Sequence, residues 1–263
     1  MNAETIVTGV VAKSTPVGEN DRVLELITKE RGRITVFARG CRRPRSRLVA
    51  YTRPFCFAEF TIINGNSNHL QDAKAINFFE DLPLDYEAYI YASYFMEFAC
   101  YFVLEEMEST DVLNLLYLAL KALTAKNKMP RKLVRFAFEM RMLVLGGVGP
   151  YIHECMECGE ACEEGWFYHS RGGLLCKECR PKDDSGIYLG KTELFTLRYV
   201  CAAPLKELFG FTLSPEVEAK VLEFCEAYKR RNIEKRVGQF PSLEELNRMG
   251  TQNCFTHLHD ASK

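Results

Sequence analysis

The stretch RVLELITKERGRITVFA, residues 22–38, decides how the first part of the chain folds. Apolar and polar residues alternate on both sides of ERGR at 30–33, which is typical of two strands joined by a hairpin turn. Similar runs at residues 4–14, 54–64 and 69–79 are separated by Gly, Asn and Pro signals. Five strands in about eighty residues suit a small closed barrel, for which the OB-fold is the common solution. An SH3-like barrel has the same periodicity and stays an alternative.

Helical periodicity replaces the strand pattern after the fifth run. The aromatic segment 85–107 carries only Glu97 between Glu87 and Glu105, so it is predicted to be a mostly buried helix. LGGVGP at 145–150 lacks the lysine of a phosphate-binding loop and is interpreted as a helix stop. The pattern indicates an α+β protein in which an all-α helical domain follows the barrel. The further helices are predicted over residues 111–125, 131–145, 191–201 and 215–232.

Five of the eleven cysteines lie in CMECGEACEEGWFYHSRGGLLCKEC, residues 155–179. Cys155 with Cys158 and Cys176 with Cys179 form two CxxC pairs at the spacing of a zinc ribbon. Each pair can place two thiolates on one side of a tight turn, and two facing turns complete a tetrahedron around Zn²⁺. Cys162 has no CxxC partner and is interpreted as a bystander.

Other interpretations of the cysteine module stay open. His153 or His169 are alternative ligands, iron would use the same four thiolates, and a disulfide pair is a further alternative. Four thiolates close the coordination shell, so no position is left for a catalytic water, and the nucleobase-deaminase pattern is not met. We therefore expect a structural metal site that is inserted in the helical domain and braces the fold.

Composition and organisation restrict the class of protein. Hydrophobic residues make up 47% of the chain and the net charge is −1, so attraction to nucleic acid must come from local patches. The sequence predicts neither a secretory signal nor a membrane span, and the scattered cysteines indicate a reducing, cytoplasmic setting. The predicted domains are an OB-fold domain at 1–82, helical parts at 83–150 and 183–249, the zinc module at 151–182 and a disordered tail at 250–263.

Arginine is concentrated in the barrel domain. Eight arginines and no acidic residue lie between residues 31 and 58, with a centre at RGCRRPRSRL, 39–48, which is predicted to be a mobile loop after the third strand. Arginine suits bidentate phosphate contacts and stacking on bases, and the aromatic residues Phe37, Tyr51 and Phe57 lie nearby. This favours single-stranded nucleic-acid binding. A solvated loop or a docking site for an acidic partner stays an alternative, and KRRNIEKR at 229–236 is a second basic cluster.

These parts resemble the RecO family of bacterial recombination mediators over roughly residues 1–245. The most specific pieces are GENDRVLELITKERGRITVFARGCRR at 18–43, LGGVGP, and the cysteine module with its two glycines before Cys176. The resemblance implies an OB-fold, a helical domain and a zinc site. It also implies a protein that binds single- and double-stranded DNA without sequence preference, anneals complementary strands and, with RecR, helps load RecA onto DNA coated by single-strand-binding protein (SSB). In some members the helical domain binds the C-terminal tail of SSB, and RecF is a further candidate partner.

The residues and the resemblance agree on the surface that DNA should touch. We expect a non-enzymatic mediator in the bacterial cytoplasm, associated with the nucleoid. An RNA-binding OB-fold protein and a metal-dependent hydrolase or deaminase stay alternatives. The predicted phosphate contacts are Lys13, Arg31, Arg33, Arg39, Arg42, Arg43, Arg45 and Arg47.

Overall fold

The N-terminal strands close into one barrel. In this computed structural model, which describes residues 4–125, 129–182, 185–233 and 240–249, the strand order is β1-β2-β3-β5-β4. Strand β5 pairs antiparallel with β4 and parallel with β3, and β1 pairs with both β2 and β4. This closure confirms the OB-fold rather than the SH3-like alternative. The strands are β1 Glu4–Val17, β2 Asp21–Thr28, β3 Gly32–Ala38, β4 Phe57–Ile63 and β5 Asn68–Asn77.

Alternation along each strand separates the barrel core from its outer face. On β3, Ile34, Val36 and Ala38 point into the core, whereas the intervening Thr35 and Phe37 are exposed. The core is filled by aliphatic side chains and one large aromatic ring, as the period of two predicts. Its buried members include Val7, Val11, Leu24, Leu26, Phe60 and Ile62.

The barrel belongs to a first compact unit, Met1–Lys126 with Phe240–Lys263. This unit also contains helices α1, Tyr86–Phe102, and α2, Thr110–Thr124, and a helical segment over residues 241–249. Asp85 caps α1, because its carboxylate accepts a hydrogen bond from the backbone N–H of Ala88 at 3.1 Å. The aromatic residues of α1 form a core, as predicted, in which Tyr94 and Phe98 pack against the ring of Phe240.

Helix α1 is shorter than the predicted segment 85–107. After Phe102 the chain pairs with the β2–β3 hairpin: Arg33 donates its backbone N–H to the Leu104 carbonyl at 3.1 Å, and Glu106 donates to the Arg31 carbonyl at 3.0 Å. Gly32 has φ +60° at this point, and a Cβ there would lie 2.0 Å from the Leu104 oxygen. The helical pattern of the sequence therefore ends where tertiary pairing with the hairpin begins.

The second compact unit, Asn127–Gln239, carries the cysteine module between helices. A small antiparallel sheet of order β7-β6-β8 lies between α3 and α4 in the chain. Helix α3 ends at the predicted stop, where Gly147 has φ +74°. The elements are α3 Arg131–Leu145, β6 Gly165–Tyr168, β7 Gly173–Leu175, β8 Ile187–Leu189, α4 Lys191–Ala202 and α5 Pro215–Ile233.

The compact units divide the chain differently from the predicted domains. Helices α1 and α2 fall in the same unit as the barrel, whereas the predicted boundary separated strands from helices at residue 82. The predicted domain boundaries stay predictions, and the predicted tail 250–263 lies outside the described residues. Within the described ranges, none of the helices combines the length and the apolar character needed to cross a bilayer.

Candidate nucleic-acid interface and metal centre

The segment between β3 and β4, residues 39–56, is called the arginine loop below. Both of its ends are anchored in the barrel, because Cys41 and Cys56 are fully buried in the core. The backbone N–H of Gly40 donates to the Asp21 carboxylate at 2.7 Å, and the backbone N–H of Val11 on β1 donates to the Cys56 carbonyl at 3.0 Å. The arginine loop therefore leaves and re-enters the barrel at fixed points.

The interior of the arginine loop also has backbone hydrogen bonds and barrel contacts of its own, and its predicted mobility stays a prediction. Arg43 donates its backbone N–H to the Gly40 carbonyl at 3.2 Å, and Ser46 donates to the Arg43 carbonyl at 3.0 Å. Leu48 and Tyr51 pack against the barrel core. These two apolar side chains thus hold the second half of the loop on the barrel.

The arginines of this loop point into solvent. In the part of the chain that the structure describes, no ion pair joins any of the six to a carboxylate, and Arg42 donates to the Gly18 carbonyl at 3.3 Å. Unpaired guanidinium groups close together on an anchored loop favour an anionic ligand, because binding neutralises their mutual repulsion. All six are exposed: the five predicted contacts Arg39, Arg42, Arg43, Arg45 and Arg47, and also Arg53.

The other three predicted phosphate contacts lie elsewhere and have partners within the first unit. Arg31 pairs with Glu106 at 2.9 Å and donates to the side-chain oxygen of Asn64 at 2.9 Å. Arg33 donates to the Cys100 carbonyl at 3.2 Å. Arg31 precedes β3 and Arg33 lies at its start, so they are separated from the arginine loop by the length of this strand, roughly 20 Å.

Lys13 is the eighth predicted contact. It lies on the outer face of β1, with its ammonium group 3.8 Å from the Glu25 carboxylate. Both side chains are exposed, so solvent screens this pair and it contributes little. The structure therefore brings five of the eight predicted residues together in one surface and leaves Lys13, Arg31 and Arg33 outside it.

The aromatic residues near the arginine loop also divide into two groups. Phe57 is buried and packs against Phe79 and Tyr117, and Tyr51 packs against Phe78, so both belong to cores. Phe37 is different, because 38% of it is exposed on the outer face of β3. The sequence did not distinguish these roles, since only the strand register shows which face each ring occupies.

The second basic cluster is partly structural. Lys229 is buried, and its ammonium group lies 2.5 Å from the Glu139 carboxylate of α3 and 3.1 Å from Glu226. Arg230 and Arg231 are exposed in the last turn of α5, where cations are favoured by the helix dipole. Residues 234–236 of the cluster lie outside the described residues.

The four cysteines of the two CxxC pairs converge on one point. All four Sγ atoms lie within 4.8 Å of one another, and those of Cys158 and Cys176 are 3.9 Å apart. A tetrahedron with zinc–sulfur bonds of about 2.3 Å has edges of about 3.8 Å, so the four sulfur atoms fit a metal ion of this kind. The Cys155 turn is closed by the backbone N–H of Gly159, which donates to the Cys155 carbonyl at 2.8 Å.

The pKa values of the thiols in this group shift in different directions. Burial raises the pKa of Cys155, but backbone hydrogen bonds from Cys158, Cys176 and Glu157 outweigh this and lower the pKa to about 6. The thiolate, which is the metal-binding form, is thus favoured at this position. The pKa of Cys179 is raised by its hydrogen bonds with Cys176 and Cys158, because the neighbouring thiols share protons.

The alternative ligands do not join this group within the described residues. Cys162 is buried and its thiol donates to the Glu160 carbonyl at 3.3 Å, which agrees with a bystander. His169 packs between the rings of Phe167 and Phe224, and burial lowers its pKa. The His153 carbonyl accepts a hydrogen bond from Arg198. The candidate metal site therefore consists of the four CxxC thiols.

The described chain thus combines a five-stranded OB barrel that has an exposed cationic loop with helices that carry a four-cysteine site, and OB-folds commonly bind oligonucleotides or oligosaccharides. Two family models cover most of the chain: "Recombination protein O N terminal" matches residues 1–79, and "Recombination protein O C terminal" matches residues 83–239. The chain belongs to the RecO family.

Curated relatives extend the match to nearly full length. A DNA repair protein RecO of Acetivibrio thermocellus is 28% identical over 243 residues, which is 92% of this chain and 96% of the relative. A DNA repair protein RecO of Desulforudis audaxviator is 31% identical over 244 residues, 92% of this chain and 95% of the relative. A DNA repair protein RecO of Alkaliphilus metalliredigens is 26% identical over 238 residues, covering 90% and 96%.

Proposed function

We propose that this protein is a non-enzymatic recombination mediator in DNA repair, and that the arginine loop is its main DNA-binding surface. The observation that carries the proposal is a group of six exposed arginines, the five predicted contacts and Arg53, on a loop anchored to an OB barrel. None of them forms an ion pair with a carboxylate in the described chain. Guanidinium groups bind phosphate oxygens in pairs of hydrogen bonds, and such contacts are made without reading base sequence. Both single- and double-stranded DNA are therefore ligands.

Strand annealing follows from the same surface. Two complementary strands repel each other through their phosphates, and a concentrated cationic surface reduces this repulsion while it leaves the base edges free to pair. No bond is made or broken in this process, so the protein needs only to bind and release DNA. Lys13, Arg31 and Arg33 add a weaker contribution in this proposal, because each already has a partner in the first unit.

In this proposal the protein acts in recombination together with other proteins. With RecR, and with RecF as a further candidate, it helps load RecA onto single strands coated by SSB in the bacterial cytoplasm, on the nucleoid. A surface cavity of about 460 Å³ at the start of α4 is a candidate contact for the SSB tail. It combines the ring of Phe195, which is 69% exposed, with Arg198 and with Lys191, whose ammonium group is paired with the Glu163 carboxylate at 2.6 Å. A peptide that ends in a carboxylate would replace Glu163 as the partner of Lys191.

The metal in this proposal is a structural Zn²⁺ held by Cys155, Cys158, Cys176 and Cys179. The support is the tetrahedral fit of the sulfur atoms and the thiolate-favouring surroundings of Cys155. Four thiolates occupy every position of the ion, so a metal-activated water has no place on it. Acidic side chains outnumber basic ones in the cysteine module, residues 153–180, which favours a bracing role over DNA contact.

The proposal is tested by an annealing assay with two complementary oligonucleotides, one carrying a fluorophore and the other a quencher. The wild-type protein is expected to accelerate annealing at low salt, and the variant with Arg42, Arg43, Arg45 and Arg47 changed to alanine is expected to lose most of this acceleration. Competition with matched RNA separates the RNA-binding alternative, since a preference for RNA would show recognition of the 2′-hydroxyl. Equal annealing by both proteins would overturn the assignment of the arginine loop.

A further inference from the structure

One aromatic ring on the outer face of the barrel has no structural role that explains its exposure. Phe37 is 38% exposed, whereas Phe55, Phe57 and Phe60 of the same barrel domain are each 3% exposed or less. It lies next to the last residue of β3, on the outer face, and is paired in register with Val23 on β2 and His69 on β5. The pair of strands β2 and β3 is the face through which OB-folds commonly bind oligonucleotides.

The exposed ring of Phe37 has an aromatic neighbour on β5. The imidazole of His69 lies 5.8 Å from the Phe37 ring, centroid to centroid, at an angle of 41°. His69 is itself held by a hydrogen bond of 2.9 Å between its Nε2 and the Ser67 hydroxyl, and Asn68 donates to the Thr35 carbonyl at 3.1 Å. The exposed face of Phe37 is therefore held in position in the free protein, so that a ligand can bind to it at little cost in conformational entropy.

The residues on either side of Phe37 indicate the direction in which a bound strand would run. Arg39 follows it by two residues along the same chain, about 7 Å away, and begins the arginine loop. A cavity of about 260 Å³ lies on the other side of Phe37, bordered by Asn66 and Ser67 of the β4–β5 turn. Arg31, Glu105 and Glu106 also line this cavity. Arg31 is paired with Glu106, so the remaining charge is that of Glu105, which disfavours a phosphate there. The backbone of a bound strand is thus directed from Phe37 toward Arg39 rather than past Glu105.

We propose that Phe37, with His69 beside it, is a stacking platform for an unpaired base of single-stranded DNA whose phosphates lie on the arginine loop. The inference rests on the proposed function and adds a contact that distinguishes single strands from duplexes. Stacking uses the face of a base and leaves its pairing edge free, so the contact is compatible with annealing. In a duplex the base faces are covered by their neighbours, so Phe37 contributes nothing there.

The test compares fluorescence-anisotropy binding of a single-stranded oligonucleotide and of the matched duplex by three proteins: wild type, Phe37→Ala and Ile76→Ala. Ile76 is a matched control, because it is also an exposed apolar residue of the barrel, 51% exposed on β5. Phe37→Ala is expected to bind the single strand about five-fold or more weakly, which is the lower end of the range for loss of one stacked base. Duplex affinity should change less than two-fold. The salt dependence should be unchanged, because no charge is removed.

An oligonucleotide with abasic sites adds a second, independent readout. Wild type should lose affinity when bases are removed from the backbone, and Phe37→Ala should lose much less, because the two changes remove the same contact. Phe37→Trp is expected to retain binding to the normal strand, since it keeps an aromatic face.

Each outcome decides the proposal. One contrary outcome is that Phe37→Ala binds the single strand as tightly as wild type and Ile76→Ala do, and another is that it loses the same affinity for the single strand and for the duplex. Either result shows that the stacking proposal is wrong and leaves the assignment of the arginine loop unaffected. If the wild type binds neither DNA, the proposed function fails and the platform fails with it.

Discussion

At the scale of the residue, two neighbouring cysteines show how surroundings decide a role. The Cys158 thiol lies 3.9 Å from that of Cys176 within the four-sulfur group, whereas the Cys162 thiol donates to the Glu160 carbonyl. The CxxC spacing predicted this division, because the pairs are local and need only a tight turn. The division between exposed and buried aromatics at Phe37 and Phe57 was not predictable in the same way, since it depends on strand register.

A serine substitution tests the metal centre. Cys176→Ser removes one of four thiolate ligands, so the purified protein should lose most of its zinc, measured by atomic emission, and its Tm should fall by about 5 °C or more. Cys162→Ser is the matched control and should keep one metal ion per chain, because a serine hydroxyl can also donate to the Glu160 carbonyl.

If the metal only stabilises the fold, its loss should not weaken DNA binding by the protein that stays folded. The folded fraction of Cys176→Ser should bind single strands as tightly as wild type does. A Cys176→Ser protein that keeps the Tm of the wild type but no longer binds DNA would show that the cysteine module contacts the ligand.

At the scale of the element, the hairpin between β2 and β3 depends on a single glycine. Gly32 has a positive φ, and any Cβ would collide with the Leu104 carbonyl oxygen at 2.0 Å. The turn signal ERGR was visible in the sequence, but the second function of this glycine was not. The pairing of residues 104–106 with the hairpin joins positions about seventy residues apart, and no local pattern reports it.

Gly32→Ala should therefore destabilise the protein more than its control Gly18→Ala, because only at position 32 does the added Cβ meet a backbone oxygen. The left-handed backbone and the collision together should lower the free energy of unfolding by about 2 kcal/mol or more, measured by urea denaturation. Gly18→Ala carries the same backbone strain at φ +56°, but nothing lies within 4 Å of its Cβ, so its cost should be only about 1 kcal/mol. Equal losses in the two variants would contradict the close approach of Leu104.

The contact between α3 and α5 rests on a buried ion pair. Lys229 and Glu139 have side chains that are 6% and 1% exposed, so removing the lysine leaves a carboxylate buried with less compensation. Lys229→Ala should destabilise the protein by about 3 kcal/mol in the same denaturation experiment. The exposed neighbour Arg231→Ala should change stability by less than about 0.5 kcal/mol. If Lys229→Ala is as mild as Arg231→Ala, the buried pair does not hold the two helices.

At the scale of the whole molecule, the distribution of charge matters more than its sum. The net charge of −1 excludes a uniformly basic protein, and the stretch from 31 to 58 was visible as a local exception. Strand and helix bounds were predictable within a few residues, because periods of 2 and 3.6 persist through each element. The packing of the arginine loop against the barrel was not predictable from the polar composition of the loop. It depends on contacts that Cys41, Leu48, Tyr51 and Cys56 make with the barrel core.

The central claim is that the arginine loop binds phosphates, and salt dependence tests it most directly. Binding of a fluorescent single strand is measured between low and high salt for wild type and for a variant with Arg42, Arg43, Arg45 and Arg47 changed to alanine. A control variant removes four exposed cations of the second unit, Lys177, Lys182, Lys206 and Arg231. Each phosphate contact contributes roughly −0.7 to the slope of log affinity against log salt.

The account predicts that the arginine-loop variant binds more weakly with a slope shallower by up to about 3, and that the control keeps the wild-type slope. If the control variant weakens binding as much, the effect comes from the net charge of the protein and not from the arginine loop. A loop variant that keeps both the affinity and the slope of the wild type would contradict the central claim.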